Sequence, residues 1–220
     1  MIGCRPLTDD EVRAVSEQFS GEMEHRNRAL FWLGITTGFR ISELLSIQIG
    51  DVWRSGRIPE QIRIARKNVK GRKRGQSAHI APATRPLINR WLFDYRQRYE
   101  ERPESPFFIS RSGSTQPISR MQAHRTLAAA YTCAGLDGAT GELATHSMRK
   151  TYAATMFEHF GDIFAVQRAL RHKSPASTVA YLSFNEQDLE HAVELKWPEE
   201  GRQPTEPAQS NVVQISRKEG

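Results

Sequence analysis

Most of this chain repeats its apolar residues at helical spacing, and one segment departs from that pattern. Residues 61–64 and 78–81 alternate apolar and polar side chains, as strands with one buried face do. The stretch between them is dense in lysine, arginine and glycine, so the segment predicts a basic β-hairpin. Because helices precede and follow this hairpin, we expect a mainly α fold with a small antiparallel β-sheet (α+β).

Capping signals locate several of the helices. Thr8-Asp9-Asp10-Glu11 has the form of a capping box, with apolar residues following at helical spacing. Asp162 is expected to cap a later helix that ends near Arg171. Phe107-Phe108-Ile109 fits either a strand or a packed loop. The remaining predicted helices cover residues 22–37, 40–47, the segment after Pro86, 119–134, 145–160, a short segment after Ser174-Pro175 that carries Tyr181, and 185–197.

The composition of the last residues sets the predicted domain boundary. Residues 198–220 are polar and contain three prolines. Such a segment buries too little apolar surface to order itself. We therefore expect one folded domain over residues 1–197 and a disordered polar tail over 198–220.

The charge balance favours an acidic partner. The chain carries 31 Lys and Arg against 25 Asp and Glu, a formal net charge of +6, and clustered cations bind polyanions by releasing counterions. Cys4 and Cys133 lack the spacing of a disulfide framework or a zinc site, so no metal is expected. No apolar stretch is long enough to span a bilayer and no signal pattern opens the chain, so we expect a cytoplasmic protein without a membrane partner.

One set of residues matches the needs of DNA strand cleavage without a metal ion. That reaction requires a nucleophile, cationic groups on the non-bridging phosphate oxygens and an acid for the leaving oxygen. Arginine suits phosphate because its planar fork donates two parallel hydrogen bonds and keeps its charge. The chain offers, in order, Thr37-Gly38-Phe39-Arg40-Ile41-Ser42-Glu43-Leu44, the basic hairpin, His146-Ser147-Met148-Arg149, His172 and Tyr181.

In this order the residues resemble the tyrosine recombinases, the family of phage integrases, Xer-type resolvases and fimbrial invertases. Gly38 to Leu44 matches the family's Gly-x-Arg-x-Ser-Glu-Leu box, and His146 with Arg149 matches its His-x-x-Arg box. The resemblance covers roughly residues 7–197. It implies the catalytic-domain fold of the family, without the N-terminal domain that closes around DNA in many members. The layout is most similar to the short fimbrial invertases, and a fragment of a longer protein is the alternative.

The resemblance also implies a mechanism. Tyr181 attacks phosphorus and forms a 3′-phosphotyrosyl enzyme with a free 5′-hydroxyl, so neither ATP nor a cofactor is needed. Arg40, Arg149 and His172 hold the non-bridging oxygens, and His146 assists proton transfer at the tyrosine.

Supporting roles follow in the same way. Lys70 is the expected general acid for the leaving oxygen, with Lys67 and Lys73 as alternatives. Glu43 is expected to orient Arg40 from one helical turn away. The expected DNA-binding residues are cationic: Arg63, Arg66, Lys67, Arg72, Lys73, Arg74, Lys150 and Lys173.

Other interpretations remain open from the sequence. Arg40 could form a structural ion pair with Glu43 or Asp51, Arg149 could do so with Glu142 or Glu158, and the hairpin cations could be an ordinary solvated face. A DNA-binding relative that does not cut, or relaxation of supercoils as in type IB topoisomerases, are the alternative functions.

The family resemblance implies the partners. They are double-stranded DNA with specific recombination sites, and a homo-tetramer that forms on that DNA at the nucleoid. The segment 185–197 either passes to a neighbouring protomer or packs in its own. An accessory DNA-bending or directionality protein is also expected, and the outcome is integration, excision or inversion.

Overall fold

The structure, a computed structural model, describes residues 4–65, 75–111, 115–136 and 142–172, together with Thr178. All of them belong to the compact unit Met1–Leu182. The helices are α1 Asp9–Glu17, α2 Glu24–Thr37, α3 Ile41–Leu44, α4 Ile49–Val52, α5 Arg85–Arg98, α6 Arg120–Cys133, α7 Thr145–Phe160 and α8 Ile163–Leu170. The strands β1 Gln61–Ile64 and β2 Gln76–His79 form an antiparallel sheet, and Pro82–Thr84 is a 3₁₀ helix. This architecture confirms the predicted fold class.

Helix α2 lies at the centre of the core. It packs against α7 and α5 and also contacts α1 and α3. Its helical wheel has no polar face, because residues on every side of it are buried. A Cβ at Gly34 would collide with the Met148 side chain, so this glycine lets α2 and α7 approach closely. Close packing of these two helices places the C-terminal end of α2 beside α7, and both carry predicted site residues.

The Phe107 region is a packed loop rather than a strand. The Phe107 N–H donates to the carbonyl of Ile47 at 2.9 Å, and the Trp91 indole N–H donates to the Phe107 carbonyl at 2.7 Å. Ile109 and Pro117 form only an isolated bridge. Of the two alternatives left open by the sequence, the structure therefore selects the loop.

The predicted hairpin pairs as expected, but its second strand lies two residues earlier than predicted. Ile62 faces Ala78 and Ile64 faces Gln76 across the sheet. Gln76 is buried although it is polar, with 6% of its surface exposed. The prediction of 78–81 was wrong because a buried glutamine hides the start of the alternation. The Ile80 N–H still donates to the carbonyl of Glu60 at 2.8 Å, which extends the contact past the strand.

The capping predictions are confirmed for α1 and α8. The Thr8 N–H donates to Glu11 at 2.9 Å and the Glu11 N–H donates to the Thr8 hydroxyl at 3.3 Å. Asp162 accepts from the N–H groups of Phe164 and Ala165 at the start of α8. None of the helices in the described part of the chain is long and apolar enough to cross a membrane.

The predicted helix 40–47 is wrong in length, because only the single turn of α3 lies within it, and a second single-turn helix, α4, lies beyond it. α3 ends at Leu44, and α4 follows after a short turn. Asp51 accepts from the backbone N–H of Gln48 at 3.0 Å and so caps α4. One turn is too short to produce a periodic pattern, which is why α4 was not predicted. The predicted helix 185–197 and the tail 198–220 lie outside the described residues.

Candidate active site

Arg40 follows a tight turn at the end of α2. Gly38 takes the left-handed conformation there, with φ +61°, and Arg40 begins α3 in an extended conformation. Glu43 accepts from the Arg40 backbone N–H at 2.8 Å and from its guanidinium at 3.3 Å. The Glu43 side chain is 2% exposed and that of Arg40 is 36% exposed. A buried carboxylate therefore anchors a guanidinium that reaches solvent, which is the arrangement expected of Glu43 and also the ion pair considered from the sequence.

Arg149 lies in the first turns of α7 and is 1% exposed. Its Nη1 donates to the carbonyl of Gly38, and its Nη2 donates to the carbonyl of Leu170 at 2.8 Å. Nη2 also lies 2.9 Å from Nε2 of His172. Arg149 thus joins the turn before Arg40 to the turn that carries His172.

His172 has a defined tautomer in this arrangement. A guanidinium can only donate, so Nε2 of His172 is the acceptor from Arg149. The ring proton then lies on Nδ1, which is 2.9 Å from the Thr178 hydroxyl. Thr178 is helical and fully buried, and it is the one described residue beyond position 172. His172 is therefore held on both ring nitrogens.

His146 lies in the first turn of α7, three residues before Arg149, and remains in contact with solvent. Partial burial of its ring lowers its pKa, and the positive charges of Arg149, Arg40 and Lys150 lower it further. Because both arginines act on its pKa, His146 lies near them. Arg40, His146, Arg149 and His172 come from three separate segments and meet at one place, which we call the basic cluster.

The lowered pKa of His146 predicts a specific pH dependence of stability. The unfolded chain binds a proton at the ordinary value near 6.5, whereas the folded chain binds it only at lower pH. Stability will therefore fall as the pH drops below 6.5, and His146→Gln will remove that part of the fall. Solvent contact limits the effect to less than about 1 kcal/mol. Denaturant titrations of both proteins between pH 5 and pH 8 measure it, and parallel curves would contradict the prediction.

Gly38 is required for the turn that precedes Arg40. Its φ of +61° is unfavourable for a side chain, and a Cβ would overlap the ring of Tyr152 on α7. Gly38→Ala is expected to lower the free energy of unfolding by about 2 to 4 kcal/mol, from backbone strain together with overpacking. Gly161 has the same φ with open space around it. Gly161→Ala should therefore cost only about 1 to 2 kcal/mol, and equal losses from urea denaturation would exclude the collision with Tyr152.

Several predicted site residues lie outside the described residues: Tyr181, Arg66, Lys67, Lys70, Arg72, Lys73, Arg74 and Lys173. Arg63 is exposed on β1, and Lys150 is half-buried beside His146. Cys4 and Cys133 are free thiols. Within the described ranges, no three His, Cys, Asp or Glu side chains are placed to hold a metal ion.

Sequence analysis missed two residues near the cluster. Tyr152 covers Gly38, and the charges of Arg171 and Arg149 act on its hydroxyl. Arg171 was expected only to mark the end of α8, but its side chain crosses to β2 and α2. No motif signals either role, since both depend on which helices become neighbours.

Comparison with known proteins supports the family resemblance. Residues 5–188 match the model of the phage integrase family. The chain is 28% identical over 182 residues to the probable integrase/recombinase YoeC of Bacillus subtilis, and this match covers 83% of this chain and 91% of YoeC. The chain spans about half the length of the XerC and XerD recombinases that it also matches.

Solved structures show the same fold. The crystal structure of XerA recombinase superposes with a TM-score of 0.71 at 20% identity, covering 89% of this chain and 66% of XerA. XerH site-specific recombinase, in a post-cleavage complex with palindromic difH substrate, superposes with a TM-score of 0.69 at 21% identity, covering 89% of this chain and 54% of XerH. The predicted fold, family and enzyme class are confirmed, and the chain belongs to the phage integrase family, among the tyrosine-type site-specific recombinases.

Proposed function

We propose that this protein is a site-specific DNA recombinase that cuts and rejoins DNA through a phosphotyrosyl bond at Tyr181. The observation that carries the proposal is the basic cluster, in which cationic and imidazole side chains from three segments meet around Arg149. Burial lowers the pKa of His146, and the positive charges of Arg149, Arg40 and Lys150 lower it further, so like charges oppose each other in this place. A phosphodiester in the cluster would relieve that repulsion and receive hydrogen bonds from the same groups.

Arg40 and Arg149 differ in the part they can take in binding phosphate. Arg149 is buried and fixed by carbonyl groups on two turns, so its position is set before DNA arrives. Arg40 is anchored by Glu43 and reaches solvent, where a phosphate can approach it. A fixed donor costs no reorganisation at the moment of reaction, which favours Arg149 as the group that holds the transition state.

His172 must carry a proton on Nε2 to bind phosphate as proposed. In the DNA-free protein its Nε2 accepts from Arg149. A phosphodiester oxygen has no proton to give, so contact between it and Nε2 requires a proton on Nε2. The neutral tautomer in which Nδ1 accepts from the Thr178 hydroxyl supplies that proton, and so does the protonated ring. The negative charge of the phosphate favours that proton. DNA binding is therefore expected to be coupled to movement of a proton onto Nε2 of His172.

The chemical step conserves bond energy. The Tyr181 oxygen forms a bond to phosphorus while the bond to the 5′-oxygen breaks, and the tyrosine proton passes to His146. The 5′-oxygen takes a proton from a hairpin lysine, for which we propose Lys70. A 5′-hydroxyl from a partner strand then reverses these transfers, so rejoining needs no ATP. The lowered pKa of His146 supports the proposal, because a base must be neutral before it accepts a proton.

The proposed partner is double-stranded DNA with specific recombination sites, acted on by a homo-tetramer in the cytoplasm at the nucleoid. The XerH structure is a complex with difH DNA, and another structure of the same fold is a lambda integrase dimer bound to a COC′ core site. An accessory DNA-bending or directionality protein is a further proposed partner. The proposed domain organisation is a folded domain over residues 1–197 and a polar tail over residues 198–220.

A nicked suicide substrate tests the proposed function directly. The protein is incubated with nicked candidate sites from its genomic neighbourhood, and SDS-stable adducts are digested and mapped by mass spectrometry. The proposal requires a DNA-linked peptide that contains Tyr181. Tight binding without an adduct would instead indicate a DNA-binding relative that does not cut. Relaxation of a plasmid that lacks any recombination site would indicate a topoisomerase.

A further inference from the structure

Arg171 lies between three segments of the fold. Its Nη1 donates to the carbonyl of Ser77 on β2 at 2.7 Å, and its Nη2 donates to the carbonyl of Thr37 at the end of α2, also at 2.7 Å. The guanidinium carbon lies 4.6 Å from the centre of the Phe39 ring. We infer that Arg171 is a positioning residue that fixes β2 of the basic hairpin and the turn before Arg40 against the turn that carries His172. The inference rests on the proposed function.

The backbone at Arg171 adopts a conformation that favours glycine, which indicates that the arginine side chain has a role at this position. Arg171 has φ +58°, in the left-handed region that favours glycine. Ser55 is the other non-glycine residue with positive φ among the described residues. The hydrogen bonds and the ring contact of the guanidinium compensate for this strain. Left-handed residues other than glycine persist where the surrounding structure holds them, and they concentrate at functional sites.

Arg171 and Arg149 hold the same turn in complementary ways. Arg149 binds the carbonyl of Gly38, and Arg171 binds the flanking Thr37 carbonyl and Phe39 ring. Two arginines, from the neighbouring α7 and α8 segments, therefore contact all three residues of the turn before Arg40. Among the described hydrogen bonds of these two arginines, the one that reaches the hairpin comes from Arg171.

The contact with β2 matters because β2 adjoins the lysine-bearing segment of the hairpin. β1 and β2 are the two ends of the segment that carries Lys70 and its alternatives, Lys67 and Lys73. A displaced β2 would move the C-terminal end of that segment relative to Arg40 and His172. An error of about 1 Å in the placement of a reacting group costs on the order of 100-fold in rate. Loss of Arg171 should therefore slow cleavage more than it weakens DNA binding.

The test compares Arg171→Gly and Arg171→Lys with wild type in single-turnover cleavage at saturating suicide substrate. Glycine suits the left-handed backbone, so this variant should fold, and lysine keeps the charge but cannot span both carbonyls. Arg168→Ala, an exposed arginine of α8, controls for the loss of one charge. We expect both Arg171 variants to cleave about 10- to 100-fold more slowly, with thermal melting and DNA affinity close to the control.

A second substrate tests the link to the hairpin. With a 5′-bridging sulfur in place of oxygen, the leaving thiolate needs no proton, because a thiol ionises near pH 8.5. The deficit of Arg171→Gly should shrink several-fold on this substrate. Wild-type cleavage rates in both variants would overturn the inference, and an equal deficit on oxygen and sulfur would overturn its hairpin part. If wild type itself forms no adduct, the proposed function fails first and the inference falls with it.

Discussion

Tyr181→Phe will form no SDS-stable adduct with a nicked recombination site, whereas Tyr152→Phe will form it at close to the wild-type rate. The substitution at 181 removes the one oxygen that can attack phosphorus in the proposed mechanism, so cleavage should fall at least about 1,000-fold. DNA binding should persist, because the basic cluster and the hairpin are unchanged. Adduct formation is followed by gel electrophoresis and binding by electrophoretic mobility shift on the same substrate.

Tyr152 is the matched control because its hydroxyl lies near the arginines of the site. Burial raises the pKa of Tyr152, and the charges of Arg171 and Arg149 offset only part of that rise. Burial also raises the pKa of Tyr95 and Tyr131. A raised pKa opposes the loss of the proton that a nucleophile must give up. An adduct that survives in Tyr181→Phe and disappears in Tyr152→Phe would identify Tyr152 on α7 as the nucleophile.

Local sequence signals predicted the parts of the fold that local interactions determine. The capping box at Thr8 and the cap at Asp162 each depend on hydrogen bonds within three residues, and both are found. Helix α7 begins and ends as predicted, and the glycine after it adopts the left-handed conformation. The start of β2 was wrong because burial of Gln76 depends on its cross-strand neighbour Ile64 rather than on its own polarity.

The contacts that build the basic cluster could not be read from the sequence. The motifs indicated which side chains belong to the site, but Arg149 is fixed by carbonyl groups that any residue type could supply. The hydrogen bonds of Arg171 to Ser77 and Thr37 are likewise made to backbone carbonyls. Backbone acceptors carry no residue identity, so only the packing of α2, α7 and α8 reveals these partners.

Arg149→Met is expected to abolish most cleavage and to destabilise the fold at the same time. The substitution leaves the carbonyls of Gly38 and Leu170 without the donor that now satisfies them, which should cost about 2 to 4 kcal/mol. It also removes a preorganised donor to the phosphate, an effect worth about 100- to 1,000-fold in the cleavage rate. Urea denaturation and single-turnover cleavage at saturating DNA measure the two effects separately.

Arg26→Met separates the catalytic effect from the structural one. Arg26 is also buried, at 3% exposure, and donates to the carbonyl of Ile109 at 2.8 Å. Burial lowers its pKa to about 10, so it too is a charged guanidinium at neutral pH. This variant should lose about 1 to 3 kcal/mol of stability yet cleave DNA at the wild-type rate wherever it is folded. If both variants lose cleavage only in proportion to their unfolded fraction, Arg149 contributes only to the stability of the fold. Arg40 must then bind the phosphate without help from Arg149.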